Sequence, residues 1–145
     1  MNKTKLKTSL FIVSSFLIPA IMMFCIYLSQ GIYWNSDTSP LLGDGYHQYV
    51  IFDTTLRNIL HGTDSLFYSF QSGLGINFYA LSSYYLGSFF SPLVYFFNAQ
   101  SMPNAVYLIT LLKFGAIGLS TYISLHGMFY KIPRSLVLTL STSFA

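Results

Sequence analysis

Long apolar runs alternate with short polar stretches along this chain, and the runs predict helices that cross a membrane. The run from Leu10 to Ser29 is long enough for a bilayer core of about 30 Å at about 1.5 Å per residue, so we place a transmembrane helix at residues 10–30. A second one is predicted at residues 105–129. Residues 136–145 begin a further one that ends before it could cross.

The aromatic stretch at residues 78–97 has two interpretations. It is long enough for one span, but the glycines at 73 and 75 and the Ser91-Pro92 pair break its surroundings, as in a re-entrant segment. We favour the full span, although it places Lys131 and Arg134 on the outer side, against the positive-inside tendency.

Polar residues concentrate at residues 31–77, which we predict to be the first extracytoplasmic loop, and all four acidic residues lie there. Within it, residues 46–60 predict an amphipathic helix, because apolar residues recur at three- and four-residue spacing. Such a helix would lie on the outer membrane surface. Asp53 and Arg57, four residues apart on its polar side, predict a surface ion pair.

The composition supports a membrane protein. The chain is 53% hydrophobic and only 8% charged, against about 25% charged in soluble domains. Its net charge of +3 is spread thinly, so the sequence predicts no nucleic-acid binding. Three lysines at positions 3, 5 and 7 place residues 1–9 in the cytoplasm, as in an uncleaved signal anchor.

Asp44, in the run Gly43 to Tyr49, is the leading candidate for chemistry. A carboxylate just outside the bilayer could take a proton from an acceptor hydroxyl or hold a metal ion that neutralises a leaving phosphate. It could equally cap the helix that begins near Tyr46. The sequence contains no Cys/His cluster, so a divalent metal is an option that it does not require.

The neighbours of Asp44 each have two readings. Tyr46 and Tyr49 could stack on a sugar or anchor the helix in the interface. His47 could contact a phosphate or remain solvated. Gln48 could hydrogen-bond sugar hydroxyls or serve only the polar surface.

Lys113 lies near the middle of the second predicted span. An ammonium there costs at least about 2.5 kcal/mol and needs a partner. A lipid phosphate, a loop aspartate or a structural ion pair would each serve, and Arg57 could also balance phosphate charge. Gly115 and Gly118 on the same helix predict close helix packing.

Several runs of this sequence resemble the bacterial YfhO membrane proteins, in which a first span is followed by Gly-Asp-x-Tyr-x-Gln-Tyr. The similar runs are residues 42–50, 56–60, 65–69, 73–78, 84–92, 111–113 and 118–122. Their order and spacing agree over residues 10–145.

This resemblance implies an all-α, polytopic membrane protein with a GT-C-type glycosyltransferase fold, in the bacterial plasma membrane with a cytoplasmic N-terminus. Such enzymes take a sugar from a polyprenyl-phosphate donor. YfhO-like members decorate extracytoplasmic glycopolymers such as lipoteichoic acid. By resemblance, Asp44 is the catalytic aspartate, Tyr46, Gln48 and Tyr49 are its motif neighbours, and Lys113 is a pocket residue.

The resemblance covers only the N-terminal end of family members, which are several times longer. We therefore expect these 145 residues to be a fragment that is inactive alone. Two rival functions remain open at this point: a fragment of a transporter or flippase with Lys113 in a polar path, and a non-catalytic membrane subunit.

Overall fold

The computed structural model describes residues 3–41, 43, 45–71, 74–129, 131–143 and 145. These residues form helices and turns, with one isolated bridge between Ser69 and Ile76, which confirms the predicted all-α class for this part of the chain. The α-helices are α1 (Lys3–Ser29), α2 (Val50–Leu60), α3 (Phe78–Tyr85), α4 (Met102–Met128) and α5 (Arg134–Ser143). A π-helical turn (Gly45–Tyr49) runs into α2, and 3₁₀ helices form at Ser91–Phe96 and Ala99–Ser101.

The chain divides into two compact units. We call residues 1–30 with 110–145 the helical unit, and residues 31–109 the loop unit. Helix α4 contributes its first turns to the loop unit and its remainder to the helical unit.

Two described helices are long and apolar enough to cross a membrane, at Leu6–Ser29 and Ala99–Met128. In their most apolar stretches only 11% and 22% of the residues are buried. The core helix of a soluble protein buries most of its apolar face, so these helices present apolar surface that suits lipid.

Helix α4 packs closely on α1 through two glycines. A Cβ atom at Gly115 would lie 2.8 Å from the Phe16 ring. A Cβ atom at Gly118 would overlap the Ser15 carbonyl oxygen and lie 2.5 Å from Cγ of Pro19. The close-packing role predicted for these two glycines is confirmed, because any side chain would push the helices apart.

The starts of α1 and α5 lie at the same end of the helical unit. Nη1 of Arg134, the first residue of α5, donates a hydrogen bond to Oγ1 of Thr8. Helices α1 and α5 therefore pack together near their N-terminal ends.

Residues 78–97 do not form the single continuous span favoured from the sequence. Helix α3 has 8 residues, or about 12 Å at about 1.5 Å per residue, less than half of the roughly 30 Å core. A separate 3₁₀ helix of 6 residues follows, with Pro92 in its first turn. Its early position suits proline, which has no amide hydrogen to donate. The segment is therefore divided into two short helices, and its placement relative to the membrane stays a prediction.

Two hydrophobic clusters organise the loop unit, and Leu56 of α2 packs against both. The buried residues of the first are Val94, Met102, Ala105 and Ile109, and those of the second are Phe52, Phe78 and Leu86. Helix α2 is thus held from two sides, which fixes the helix that continues the Asp44 motif.

Candidate functional site at the start of helix α2

A turn at Gly43 leads into α2. Gly43 has a φ angle of +55°, a left-handed conformation that glycine adopts without steric cost. Its carbonyl oxygen accepts hydrogen bonds from the amides of Tyr46 and His47, each at 3.1 Å. Asp44 itself lies outside the described residues, so both its cap role and its chemical role stay predictions.

A π-helical turn over Gly45–Tyr49 widens the start of the helix. Such turns are rare and occur frequently at functional sites. Tyr46 is 54% exposed and His47 is exposed beside it, their rings edge to face with centroids 6.2 Å apart. Both side chains are therefore accessible to a ligand.

Gln48 and Tyr49 face α3. The hydroxyl of Tyr85 donates to Oε1 of Gln48 at 3.2 Å, and the Tyr85 ring meets Tyr49 edge to face at 5.4 Å. Among the described residues the side-chain nitrogen of Gln48 has no hydrogen-bond partner. One end of the amide is thus fixed, while its two N–H donors are available to a ligand.

Arg57 binds the protein itself. Its Nε donates to the carbonyl oxygen of Phe97, and Nη1 donates to Oδ1 of Asn58 at 3.1 Å. The guanidinium therefore ties α2 to the end of the Ser91–Phe96 helix, which leaves it less free for phosphate than the sequence suggested.

The prediction that Asp53 and Arg57 lie on the surface is wrong. Asp53 is only 7% exposed and Arg57 is half-buried. The face of α2 that carries Asp53 is covered because α2 is packed on more than one side. The sequence pattern predicted a single apolar stripe, as in a helix that lies on the membrane surface, and so did not predict this burial.

Sequence reasoning missed a polar network beneath α2. Nδ2 of Asn58 donates to Oδ2 of Asp64 at 3.1 Å, and Nε2 of Gln71 approaches the same oxygen at 3.5 Å. Oγ1 of the buried Thr55 lies 2.9 Å from Oε1 of Gln71 and 2.9 Å from the carbonyl oxygen of Ile51, so its one hydrogen is shared between these two acceptors. Asp64 thereby anchors the following loop. The sequence offered one signal for this network: Thr55 and Asn58 are polar and three residues apart, which places them on the same face of the helix.

An open groove of about 410 Å³ lies on α3 and the turn that follows it. It is lined by Leu56, Ser82, Ser83, Leu86, Gly87, Ser88, Phe89, Ser91 and Pro92. Four hydroxyls, apolar walls and no charged side chain suit a neutral ligand with many hydroxyls. Its volume lies within the usual range of ligand sites.

Helix α3 connects the motif to this groove. Tyr85, which holds Gln48, is flanked in sequence by the groove residues Ser83 and Leu86. The hydroxyl of Ser83 donates to the carbonyl oxygen of Tyr79 at 3.0 Å. No hydrogen bond to its oxygen is found among the described residues, so the oxygen can accept one from a ligand.

Lys113 belongs to the helical unit and is exposed on α4. In the described part of the chain it has no hydrogen-bond or ion-pair partner. It lies within the candidate span Ala99–Met128, where an ammonium requires a partner or water. Lys113 and the start of α2 belong to different compact units of the chain.

The two exposed apolar helices suggest a membrane location. A family model described as the bacterial membrane protein YfhO matches residues 14–145, and the chain belongs to this family. No match was found among curated proteins or among solved structures.

Proposed function

We propose that this chain is the N-terminal module of a GT-C-type membrane glycosyltransferase. It uses a polyprenyl-phosphate sugar to modify an extracytoplasmic glycopolymer such as lipoteichoic acid. The observation that carries the proposal is the pairing of Gln48 with Tyr85 beside an uncharged, serine-lined groove. Helix α3, which carries Tyr85 and the groove residues Ser82 and Ser83, thereby links the motif to hydroxyls that can hydrogen-bond a sugar.

In the proposed reaction an acceptor hydroxyl attacks the anomeric carbon of the donor sugar. The bond between that carbon and the phosphate oxygen breaks, and polyprenyl phosphate leaves with the electron pair. Asp44 accepts the proton of the attacking hydroxyl. Tyr46 and His47 follow Asp44 closely in the sequence and are exposed, and they contact the sugar and its phosphate.

The proposed orientation is supported by the charges near the start of α1 and of α5. By the positive-inside tendency, Lys7, Lys131 and Arg134 favour a cytoplasmic location. Residues 31–77 would then form an extracytoplasmic loop, where lipid-linked donors and glycopolymer acceptors meet.

A transport role is the second candidate, and Lys113 favours it. An exposed ammonium within a candidate span suits a polar path for an anionic headgroup. Under that proposal a Lys113→Met change abolishes transport while Asp44→Asn changes little. Under the glycosyltransferase proposal the order of severity is reversed.

The direct test compares bacterial membranes with and without the protein. Membranes from the parent strain and a gene-deletion strain receive a radiolabelled polyprenyl-phosphate sugar, and label in the envelope glycopolymer is counted. We expect transfer in the parent that is lost on deletion and restored by complementation. Equal labelling in both strains, over a panel of donor sugars, contradicts the proposal.

The contact between Tyr85 and Gln48 gives a finer prediction. Tyr85→Phe removes the donated hydrogen bond and keeps the ring contacts with Tyr49 and Phe52. A lost hydrogen bond of about 0.5–1.5 kcal/mol predicts roughly 2- to 10-fold slower sugar transfer.

Tyr84→Phe is the matched control, because Tyr84 is adjacent, 82% exposed, and its hydroxyl has no hydrogen bond among the described residues. Transfer rates are measured at equal protein abundance in the membrane. If both variants retain the parent rate, Gln48 does not need its fixed orientation.

A further inference from the structure

The loop unit contains a long stretch without charge. The thirty-four residues from Ser65 to Asn98, which precede the candidate span Ala99–Met128, include no Asp, Glu, Lys, Arg or His. A stretch of this length facing bulk water would be expected to carry about eight charged residues at the usual frequency of about 25%.

Large apolar side chains nevertheless lie on the surface of this stretch. Six of them are at least 71% exposed: Phe67, Phe70, Leu74, Tyr84, Phe89 and Phe96. They occur in the loop before α3, at the end of α3, and in or near the following 3₁₀ helix. Exposed apolar surface on this scale marks a site of contact with lipid or protein.

Local contacts hold part of this surface in place. The Ser69–Ile76 bridge, with hydrogen bonds of 3.0 and 2.9 Å, closes the loop that carries Phe70. The Tyr68 ring packs edge to face on Phe70, with centroids 4.8 Å apart. The exposed ring is thus supported from behind.

We propose that this uncharged aromatic surface is seated in the lipid–water interface of the bilayer. The loop unit includes the first turns of α4, which belong to the candidate span Ala99–Met128, so the unit lies at a membrane boundary. Aromatic side chains concentrate at that depth.

The backbone sets how deep this surface enters. Irregular loops and short helices leave N–H and C=O groups without helical partners, and the hydrocarbon core has no water to satisfy them. The exposed Phe rings therefore enter the boundary between headgroups and acyl chains, while the backbone of the loops stays among the headgroups. The inference is independent of any sugar transfer.

The single tryptophan of the chain, Trp34, allows a direct test. Trp34→Phe keeps an aromatic ring beside Phe97 and Tyr107 and gives a background without tryptophan. Phe70→Trp and Phe89→Trp are then introduced separately, so that one probe remains if the other disturbs folding. Thr38→Trp, at an exposed position in the charge-bearing part of the same unit, is the matched control.

Each single-tryptophan protein is reconstituted into phosphatidylcholine vesicles with acyl chains brominated close to the headgroup. We expect blue-shifted emission at positions 70 and 89, loss of most of that emission to the brominated lipid, and little quenching by aqueous acrylamide. The Thr38→Trp protein should show the reverse, and circular dichroism should be unchanged.

Two results overturn the proposal. Red-shifted emission quenched by acrylamide at positions 70 and 89 would place the surface in water. Blue-shifted emission that neither quencher reduces would show that protein covers it.

Discussion

Replacing Asp44 with asparagine is expected to lower sugar transfer by at least about 100-fold, with a normal amount of protein in the membrane. A positioned general base contributes roughly 10²- to 10⁴-fold to a proton-transfer step, and asparagine cannot accept the proton. The chromosomal variant is compared with the parent strain by label incorporated into the envelope glycopolymer and by immunoblotting of membranes.

The choice of asparagine separates the two roles predicted for this residue. Asparagine caps helices about as well as aspartate, so a residue that only caps the helix entering α2 would tolerate the change. Asp37→Asn is the control, because Asp37 is exposed in the same loop unit and should keep the parent rate. Sugar transfer at the parent rate by the Asp44→Asn variant would contradict a catalytic role for Asp44.

Gly118→Ala is expected to destabilise the helical unit, whereas Gly127→Ala is not. A Cβ atom at position 118 would overlap the Ser15 carbonyl and crowd Pro19, but at position 127 it would meet nothing within 4 Å. Overpacking of this kind costs about 1–3 kcal/mol. Alanine at the open position gains up to about 1 kcal/mol of helix propensity.

The measurement is thermal unfolding of the two purified variants in the same detergent, followed by circular dichroism. The midpoint of Gly118→Ala should fall below that of the parent, and that of Gly127→Ala should stay equal or rise. Equal midpoints for the two variants would show that α1 and α4 do not need the close approach.

The long helices could be predicted from sequence because their signal is local. An apolar run of sufficient length predicts a membrane helix wherever it occurs. Helix α1 begins seven residues before the run predicted at 10–30 and α4 begins three residues before the run predicted at 105–129, and each ends within one residue of its run. The small residues of α4 likewise predicted close packing, which depends only on side-chain size.

The structure of residues 78–97 was harder to predict, because the hydrophobicity of a segment does not show whether it forms one continuous helix. Its composition fits one span, yet Ser91 and Pro92 start a separate 3₁₀ helix. The position of Arg134 beside Thr8, 126 residues apart in sequence, depends on the packed structure and has no local signal.

The candidate site divides in the same way. The motif from Gly43 to Tyr49 could be identified by its glycines and polar residues. The partner of Gln48 could not, since Tyr85 lies 37 residues further along the chain. The burial of Asp53 also depends on the elements that cover α2, which periodicity within one helix does not report.

The contact between Gly118 and α1 has a chemical origin in Pro19. Proline has no amide hydrogen, so the carbonyl four residues earlier, that of Ser15, loses its ordinary helical donor. This is the oxygen against which the bare Cα of Gly118 is placed, as in the weak C–H···O contacts found where helices cross. Pro19 in α1 and Gly118 in α4 therefore act as a pair. A carbonyl left without its donor inside an apolar helix is sheltered by the neighbouring backbone.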